Sequence, residues 1–323
     1  MKTLAITGAS GFIGVHLVRA LLAAGGNRIK ILTRSLNIDS TRDAFPPEVE
    51  IVVGDITNLA SLDGFLEPGC TLINLAYLVD EDDSINVAAI NNLLVACKSA
   101  RIARFIHCST ADVAGRTPDQ RVMESSPCRP FTAYAMTKLK LEAVILASGH
   151  DCFDVAILRP TAVFGPGGQN LKKLAQDLVH GVRLFNKLKS LVFGFRSMNL
   201  IHVDNVVAAL IFLIDDISAF DGEVFIVSDD DASANNFFSV RLALINGFGI
   251  RDISWPHIFF PTWLLSLMLR LLMKNNVNPL CRYDSGKLRF LGFRGPMSFD
   301  ESLSSYIAWY RSACLKSPGK VDS

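Results

Sequence analysis

The chain has 323 residues, of which 50% are hydrophobic and 20% are charged, so it can bury a substantial core and is not an intrinsically disordered polypeptide. Its 32 Lys and Arg residues nearly balance its 31 Asp and Glu residues, which leaves a formal net charge of +1. Such a chain has no overall field that attracts nucleic acid or an anionic membrane. We therefore expect no nucleic acid partner and only local charge recognition.

The seven cysteines are an odd number, are widely spaced and contain no CxxC pair. This pattern argues against a disulfide framework and against a zinc site, and it is typical of a protein in a reducing compartment. The N-terminal MKTLAITGAS lacks the longer apolar region and the cleavage site of a signal peptide, so we expect the mature protein to begin here. The predicted location is cytoplasmic, and no metal is expected.

Short apolar runs rich in β-branched residues alternate with helix-like segments from Lys2 to about Pro160. The runs are LAIT, IKIL, EIVV, TLIN, RFIHCS and VAIL. Continuous apolar strands separated by amphipathic crossovers are typical of a parallel sheet with helices on both faces. The predicted fold class is therefore α/β, a doubly wound parallel sheet of the Rossmann type. One later run, Val224–Val227, could rejoin this sheet.

The pattern becomes irregular after about residue 160, where we expect a smaller, mostly helical region that holds the substrate. The predicted elements are a Gly/Pro turn at Gly165–Gly168, a helix from Asn170, a strand at Leu191–Phe193, and helices at Asp204–Ile214 and Ala234–Leu244.

Two unusual segments follow in the C-terminal half. The acidic turn Asp229–Asp231 is interpreted as a solvated loop rather than a metal site, because consecutive carboxylates do not converge without a specific turn. The apolar run Ile258–Met273 contains Pro261 and Arg270 and is shorter than the roughly 20 residues that a membrane-spanning helix needs. A buried core helix is its first interpretation. Docking on a membrane surface, or a lipophilic substrate pocket, is the second.

A glycine-rich bend joins the first strand to an apolar helix. Gly8 allows the tight turn, Gly11 lets backbone N–H groups approach a pyrophosphate, and Gly14 permits close packing of the helix. The N-terminus of the helix supplies a positive potential to the phosphates. The bend therefore predicts a dinucleotide site.

The second strand ends in Thr33-Arg34-Ser35 and offers no carboxylate to the ribose diol that NAD-selective sites bind. A guanidinium beside a hydroxyl suits a 2′-phosphate, so Arg34 predicts NADP in preference to NAD. After the third strand, Asp55 could reach the adenine, or either Asp55 or Thr57 could cap a helix.

Tyr134 and Lys138 are separated by four residues at the start of an apparent helix, so they share a face. An ammonium beside a phenol stabilises the phenolate and lowers its pKa from about 10. Tyr134 can then move a proton to or from a substrate oxygen while hydride moves to or from nicotinamide. The strand RFIHCS places a hydroxyl at the carboxyl edge of the sheet, where Thr110 is our first choice for binding that oxygen and Ser109 the second.

These motifs occur in the order typical of one enzyme family. They are TGASGFIG, GDIT, INLA, NVAAINNLLVAC, RFIHCSTADVAG, YAMTK, LRPTAVFGPGG and IHVDNVV. Over nearly its whole length the chain resembles the extended short-chain dehydrogenase/reductases, the NAD(P)-dependent epimerase/dehydratase family. The resemblance implies a dinucleotide-binding domain over residues 1–165 plus about 200–230, a substrate domain over 166–199 plus 231–315, and a frayed tail over 316–323.

The resemblance also implies roles for individual residues. Thr110, Tyr134 and Lys138 match the catalytic triad, with Lys138 also on the nicotinamide ribose. Asn86 matches an asparagine near the site and is predicted as a further catalytic residue. The remaining cofactor positions are Ser10, Phe12 and Ile13 in the phosphate loop, Asp55 and Ile56 beside the adenine, Leu75 and Ala76 along the dinucleotide, and Pro160 beside the nicotinamide. A homodimer through Ser84–Ala100 and Tyr134–Leu146 is a further expectation of the resemblance.

The sequence departs from the sugar-nucleotide members of that family at the substrate side. Met198 stands where they usually carry an arginine that binds the nucleotide diphosphate, although Arg196 could take its place. Asn170 resembles the asparagine of their phosphate loop, and Ala111 replaces the acidic residue that 4,6-dehydratases place next to the catalytic hydroxyl.

Three functions follow from these features. The first is an NAD(P)-dependent oxidoreductase or epimerase that acts on a nucleotide-linked sugar, as a 4-epimerase or 4-ketoreductase, with Thr110, Asn170 and Arg196 on the substrate. The second is a reductase or dehydrogenase of a hydrophobic alcohol, steroid-like or polyphenol-like. The third is a dinucleotide-sensing scaffold without turnover.

Overall fold

The computed structural model describes residues 1–34, 42–149, 152–253, 260–273 and 277–315. Within these ranges the strands are β1 (Lys2–Thr7), β2 (Asn27–Thr33), β3 (Val49–Val53), β4 (Thr71–Asn74), β5 (Arg104–Cys108), β6 (Arg121–Val122), β7 (Asp154–Pro160), β8 (Ala162–Phe164), β9 (Leu200–His202), β10 (Glu223–Val227) and β11 (Arg282–Tyr283). The helices are α1 (Phe12–Ala24), α2 (Asp83–Ala100), α3 (Ala133–Gly149), α4 (Lys172–His180), α5 (Arg183–Phe193), α6 (Val203–Asp215), α7 (Phe237–Phe248), α8 (Thr262–Leu271), α9 (Gly286–Phe290) and α10 (Phe299–Tyr310).

Seven of the strands form one parallel sheet in the order β10, β7, β5, β4, β1, β2, β3. The chain begins inside the sheet at β1, runs outward through β2 and β3 to one edge, and then crosses back to β4 to build the other half. The predicted doubly wound α/β fold is therefore confirmed. Each of the six early apolar runs is a strand, and Val224–Val227 rejoins the sheet within β10.

Helices cover both faces of this sheet, which is why its strands lack an alternation of apolar and polar residues. On one face, Leu17 of α1 and Leu210 of α6 belong to the same buried cluster as Ile6 of β1. On the other face, Leu93 of α2 and Leu141 of α3 lie in a second buried cluster. The catalytic-motif helix α3 is thus anchored directly on the sheet.

The C-terminal half forms its own apolar cluster. Residues of α4, α7 and α10 meet there, among them Leu178, Leu244 and Tyr306. The two-stranded pairs β8–β9 and β6–β11 lie beside the main sheet. The division into dinucleotide and substrate domains, with its stated boundaries, stays a prediction, and the tail 316–323 lies outside the described residues.

Most of the irregular elements are where the sequence predicts them, but the strand at Leu191–Phe193 is wrong. Those residues are the last turn of α5, which continues until Gly194 ends it with a φ of 44°. A run of three apolar residues fits a strand or a helix equally well, and here the preceding eight residues carry no helix breaker. The helix predicted from Ala234 begins instead after Asn236, whose side chain accepts a hydrogen bond from the Ser239 N–H.

The interpretation of Asp229–Asp231 as a solvated loop is wrong for its middle residue. Asp230 is buried, and its carboxylate accepts hydrogen bonds from the side-chain amides of Asn199 (2.6 Å) and Asn235 (3.1 Å) and from the Tyr283 N–H (2.7 Å). The carboxylate therefore joins the turn after β10 to β9, β11 and the start of α7. A buried carboxylate that accepts three hydrogen bonds holds these elements together and is not a solvated surface charge.

The described part of the apolar run, residues 260–273, is buried on one side of its helix. Residues 258 and 259 lie outside the described residues, and α8 covers most of the remainder. Leu265 and Leu269 are buried, whereas Trp263, Leu267 and Leu271 are exposed. The helix is therefore buried on one face and exposed on the other, and the prediction of a buried core helix is wrong for the exposed face. In the described part of the chain, no helix combines the length and the apolar character needed to cross a bilayer.

Candidate active site

The bend between β1 and α1 lies in close contact with the backbone of the turn that follows β4. Gly8 has a φ of 71°, and a Cβ there would lie 2.7 Å from the Ala76 nitrogen. A Cβ on Gly14 would strike the carbonyl oxygens of Gly8 and Ala9. Gly11 caps α1 without a side-chain hydrogen bond, so the first N–H groups of the helix are available to an anion. These features fit a pyrophosphate-bearing dinucleotide.

A buried polar chain fixes the turn that faces this bend. Asn74, at the end of β4, accepts hydrogen bonds from the Thr7 hydroxyl (2.6 Å) and from the Ala76 N–H (3.3 Å), and its amide nitrogen lies 3.0 Å from Nδ1 of His107. Burial lowers the pKa of His107 well below its usual value, so the ring is neutral. Three neighbouring strands are thereby held in register where the predicted dinucleotide site lies.

Two adjoining cavities open at the carboxyl edge of the sheet. The smaller, of about 250 Å³, is lined by these predicted cofactor residues: Gly8, Ser10, Gly11, Arg34, Asp55, Ile56, Leu75 and Ala76. The larger, of about 970 Å³, is lined by Gly8, Gly11, Phe12, Ile13, Gly14, Leu75, Tyr134, Lys138 and Pro160, together with Thr110, Asn170 and Arg196. The structure thus brings the predicted cofactor and substrate residues to one continuous site.

The smaller cavity carries the residues expected near the adenosine end. Arg34 is exposed at its rim, immediately after β2, while Ser35 lies outside the described residues. The Asp55 carboxylate accepts hydrogen bonds from the Thr57 N–H and hydroxyl, both at 2.8 Å. The helical turn that follows, Leu59–Leu62, is capped by Asn58, whose side chain accepts a hydrogen bond from the Ala60 N–H, so the prediction that Asp55 or Thr57 caps a helix is wrong.

Tyr134 stands at the first turn of α3, on the wall of the larger cavity. Its ring packs edge-on against Tyr77, with centroids 5.0 Å apart, and it lines the same cavity as Thr110. Ser109 also lines the cavity, and its buried hydroxyl has no hydrogen-bond partner among the described residues. Both candidate hydroxyls of the β5 edge therefore face the same space as the phenol.

Lys138 lies one turn further along α3 and is buried. Its ammonium donates a 2.9 Å hydrogen bond to the Cys108 carbonyl and lies 5.1 Å from the centre of the Tyr77 ring. Desolvation lowers the pKa of Lys138, partly offset by the charges of Cys108 and Glu142. The ammonium is thus fixed between α3 and the end of β5.

The predicted lowering of the Tyr134 pKa is not what the structure contains. Burial raises this pKa above its usual value, the charges of Cys108, Asp112 and Tyr77 raise it further, and the Thr110 side chain opposes them. The prediction included the ammonium of Lys138 but not the free-energy cost of forming a phenolate where the ring is partly desolvated. Tyr134 is therefore a neutral phenol at neutral pH.

Asn86 does not line either cavity in the described part of the chain. Its amide accepts from the Leu78 N–H and donates to the Leu78 carbonyl, both at 3.0 Å, and it lies 3.3 Å from the Asp82 carbonyl. The side chain thereby holds the loop that follows β4 and carries Tyr77. Asn86 is a positioning residue here, which corrects the catalytic role predicted from the resemblance.

The substrate side of the larger cavity combines the cation Arg196 and polar side chains with apolar ones. The polar side chains include Gln169, Asn170, Ser197 and Asn199, and the apolar ones include Val163, Met198 and Phe237. Arg196 lines this cavity, and its buried Nε has no hydrogen-bond partner among the described residues. Burial lowers the pKa of this guanidinium from its usual value. The Asn170 amide donates to the Val163 carbonyl at 2.8 Å, and Met198 lines the same wall.

Three aromatic lining residues were missed from the sequence: Tyr77, Phe237 and Tyr283. Tyr77 directly follows the INLA motif, so its position beside the predicted dinucleotide turn could have identified it. Phe237 begins α7 and Tyr283 ends β11, far along the chain from the other residues of the site. Only the folded C-terminal half brings these two side chains to the cavity.

A family model for the NAD dependent epimerase/dehydratase family matches residues 4–228. The chain belongs to this family. Membership confirms the resemblance found in the motifs and makes the protein an NAD-dependent epimerase/dehydratase-type enzyme, so a scaffold without turnover is not retained.

The names of similar proteins refer to different substrates. The chain is 24% identical over 356 residues to mouse 3 beta-hydroxysteroid dehydrogenase type 7, an alignment that covers 95% of each protein. It is 31% identical over 176 residues to sterol demethylase protein B of Methylococcus capsulatus, covering 51% of this chain and 52% of that protein. Among solved structures, UDP-glucuronic acid 4-epimerase from Bacillus cereus in complex with NAD has a TM-score of 0.74 at 20% identity, covering 99% of both chains.

Proposed function

We propose that this enzyme uses a nicotinamide dinucleotide to interconvert a ketone and a secondary alcohol on a lipophilic substrate. The observation that carries the proposal is the make-up of the larger cavity. Tyr134, Thr110 and Ser109 supply hydroxyl groups at the sheet edge, and the same cavity is lined by Met198 and Phe237. A reactive carbonyl can thus be held by these hydroxyl groups while an apolar body contacts Met198 and Phe237.

Each residue of the sheet edge has a defined task in this proposal. A bound dinucleotide supplies or accepts the hydride. Thr110 orients the substrate oxygen, and Tyr134 transfers a proton to or from that oxygen. Lys138 holds the end of β5 through the Cys108 carbonyl and places positive charge beside the ribose position.

The neutral phenol of Tyr134 can act as a proton donor. Because burial raises its pKa, the phenol carries its proton at neutral pH and can donate it to a carbonyl oxygen. In the oxidative direction the same oxygen would accept the proton of the alcohol.

Two observations support a lipophilic substrate. Met198 occupies the position where the motif comparison predicts an arginine for a nucleotide diphosphate, and a thioether offers no charge to a phosphate. The relative that covers 95% of this chain is named as a steroid dehydrogenase, and the shorter match is named for sterol demethylation. Both names describe rigid, largely apolar substrates.

A nucleotide-linked sugar is the second candidate, and Arg196 is the observation that favours it. Its guanidinium lines the cavity with an unsatisfied Nε among the described residues, a suitable partner for a diphosphate. With such a substrate the same hydroxyl and hydride chemistry gives a 4-epimerase or a 4-ketoreductase.

The choice between the two dinucleotides rests on Arg34. A guanidinium at the rim of the smaller cavity, with no carboxylate after β2, suits the 2′-phosphate of NADP. NADP is therefore the proposed preferred cofactor, with NAD as the alternative.

Activity assays with two sets of substrates separate the two candidates. The purified enzyme is incubated with NADPH or NADH and either 3-ketosteroids or UDP-, dTDP- and GDP-linked keto-sugars, and oxidation of the dinucleotide is followed by absorbance. Thermal unfolding with each substrate alone provides a second readout, because a ligand that binds the folded state raises the melting temperature. Turnover and stabilisation by the steroids support the proposal. A response confined to the nucleotide sugars overturns it in favour of the second candidate.

A further inference from the structure

One face of α8 is apolar and open to solvent. Trp263, Leu267 and Leu271 are spaced four residues apart, so they form a single stripe along the helix. Trp263 is 69% exposed and Leu271 is 75% exposed. The stripe lies opposite a face that α8 already uses for packing, through Leu265 and Leu269. A contiguous apolar stripe left outside the core marks an interaction surface.

Helix α5 also exposes apolar side chains on one side. Leu184, Phe185 and Leu188 are exposed, with Phe185 at 65%. The helix instead buries Asn186 and Ser190 on its inner side. The two helices are joined where the Phe260 N–H, two residues before α8, donates a 3.0 Å hydrogen bond to the carbonyl of Leu191. We call the exposed faces of α5 and α8 together the α5–α8 surface.

The charged side chains within the two segments all have one sign, although Asp177 and Asp252 of neighbouring segments lie beside two of them. Segments 182–193 and 260–273 contain Arg183, Lys187, Lys189 and Arg270 but neither Asp nor Glu. Lys187 is buried, and Lys189 pairs with Asp177 of α4, which leaves Arg183 and Arg270 exposed. An apolar stripe flanked by cations complements an interface that offers both hydrocarbon and negative charge.

Both helices lead directly into the walls of the larger cavity. Two residues after Gly194 ends α5, Arg196 lines the cavity, and Met198 follows it. The Ser197 N–H donates a 2.7 Å hydrogen bond to the Pro279 carbonyl, which lies on the path from α8 to the lining residue Tyr283. The α5–α8 surface is therefore continuous in the chain with the substrate side of the site.

We propose that the α5–α8 surface docks the enzyme onto a bilayer that contains anionic lipids. Trp263 suits the headgroup boundary, because its ring is apolar and its N–H is a hydrogen-bond donor. A second copy of this chain is a poorer occupant, since it would bring the exposed arginines of two copies together without a compensating carboxylate in these segments. The proposal does not depend on which substrate the enzyme uses.

Vesicle sedimentation tests this docking with the full-length protein. The probes are vesicles of phosphatidylcholine alone and of phosphatidylcholine mixed with phosphatidylglycerol. We expect binding to the mixed vesicles that weakens as salt is raised, because cations contribute to it. Absence of binding to the mixed vesicles overturns the proposal.

Two triple variants locate the surface. They are Trp263→Ser with Leu267→Ser and Leu271→Ser in α8, and Leu184→Ser with Phe185→Ser and Leu188→Ser in α5. Each should lower the vesicle partition coefficient by about tenfold or more, because three apolar side chains no longer enter the bilayer. The control combines Ile217→Ser with Phe290→Ser, two side chains that are 98% and 91% exposed outside both helices. The control should bind as the unaltered protein does.

Further readouts distinguish docking from other causes. Circular dichroism and the melting temperature establish that each variant is folded. Light scattering reports the mass in the absence of lipid. If either triple variant binds vesicles as well as the control, or if the α8 variant lowers the mass without lowering vesicle binding, the α5–α8 surface is not a bilayer surface and the proposal fails.

Discussion

Removing the hydroxyl group of Tyr134 tests proton transfer separately from dinucleotide binding. Tyr134→Phe keeps the ring against Tyr77 and removes only the hydroxyl. We expect turnover to fall by about 10²- to 10⁴-fold, the range typical of a lost general acid or base. Dinucleotide affinity should stay nearly constant, because the phosphate loop and the adenosine cavity are unchanged. Steady-state kinetics and fluorescence titration with NADPH measure the two quantities.

A matched change on the same helix controls this measurement. Met136→Leu alters an exposed side chain of α3 and should leave turnover near that of the unaltered enzyme. Retention of turnover in Tyr134→Phe would remove the phenol from the mechanism and transfer the proton role to the hydroxyls of Thr110 or Ser109.

Arg34 makes a separate prediction about cofactor choice. A charge-assisted hydrogen bond to a 2′-phosphate contributes about 1.5–3 kcal/mol, so Arg34→Ala should raise the Kd for NADPH by about 10- to 100-fold. The Kd for NADH should change little, because NADH lacks this phosphate. Titration calorimetry with both dinucleotides checks the difference. Arg19→Ala, an exposed arginine of α1, is the control for net charge, and equal losses for NADPH and NADH in Arg34→Ala would contradict the preference.

Site residues could be predicted from the sequence where a local pattern determines their position. Thr110, Tyr134 and Lys138 were identified from a strand end and a helical spacing, and the structure places all three on the larger cavity. The neutral state of Tyr134 was not predictable, because desolvation depends on what packs around the ring. Tyr283 could not be found from the sequence, since β11 has no motif and reaches the cavity only through long-range packing.

At the scale of elements, strand prediction succeeded where the sheet is buried on both sides. Each early run, such as the one in β4, is short, apolar and bounded by polar turns, so no competing pattern existed. The failure at residues 191–193 has the opposite cause. Those residues end an amphipathic helix, and the period of α5 becomes visible only when its polar inner side, with Asn186 and Ser190, is known to be buried.

The attachment of α3 to β7 depends on a buried ion pair. Arg159 donates to the Glu142 carboxylate through Nε (3.0 Å) and Nη2 (2.5 Å), and both side chains are buried. Glu142→Ala leaves an uncompensated buried guanidinium, which should lower the free energy of unfolding by about 3–5 kcal/mol. Urea denaturation measures the change. Lys140→Ala, in the same helix α3, removes an exposed ion pair with Asp83 of α2 and should change the free energy of unfolding far less. Equal effects would show that the buried pair is not the anchor.

Asp230 should make stability depend on pH, since it connects several elements. Burial raises its pKa to about 7 from an ordinary value of 3.8, so the folded protein binds this proton more tightly than the unfolded chain does. Its contribution to the free energy of unfolding is therefore largest below the unfolded pKa and falls as pH rises towards the folded pKa. Asp229, whose pKa burial raises to about 6, acts with the same sign.

Melting curves of Asp230→Asn test this dependence. The variant should lose less stability than the unaltered protein between about pH 4 and about pH 7, because position 230 no longer titrates. Asp231→Asn, at the exposed end of the same turn, should keep the slope of the unaltered protein. If Asp230→Asn and Asp231→Asn have the same slope, the buried carboxylate does not titrate in this range.

At the scale of the whole molecule, the parallel sheet explains why so much of the site was foreseeable. Parallel strands deliver their carboxyl ends to one edge, so the loops after β1, β2, β3, β4 and β5 meet whatever their distance along the chain. The interleaved C-terminal half follows no such rule. Its elements complete the cavity with Phe237 of α7 and Tyr283 of β11 and leave the α5–α8 surface exposed. No sequence period fixes the orientation of either feature.

Assembly is the remaining prediction at this scale. Helices α2 and α3 pack against each other on one face of the sheet and present small or apolar side chains outward: Ala88, Val95, Met136 and Ala143. We expect two copies to bury these faces against each other, which would also brace the first turn of α3, where Tyr134 stands. Val95→Glu places a charge in that interface and should convert a dimer into a monomer in light scattering, with turnover per chain reduced. Ile217→Glu, equally exposed but outside both helices, should stay dimeric. A monomeric unaltered enzyme, or a dimeric Val95→Glu variant, would place the contact elsewhere or remove it.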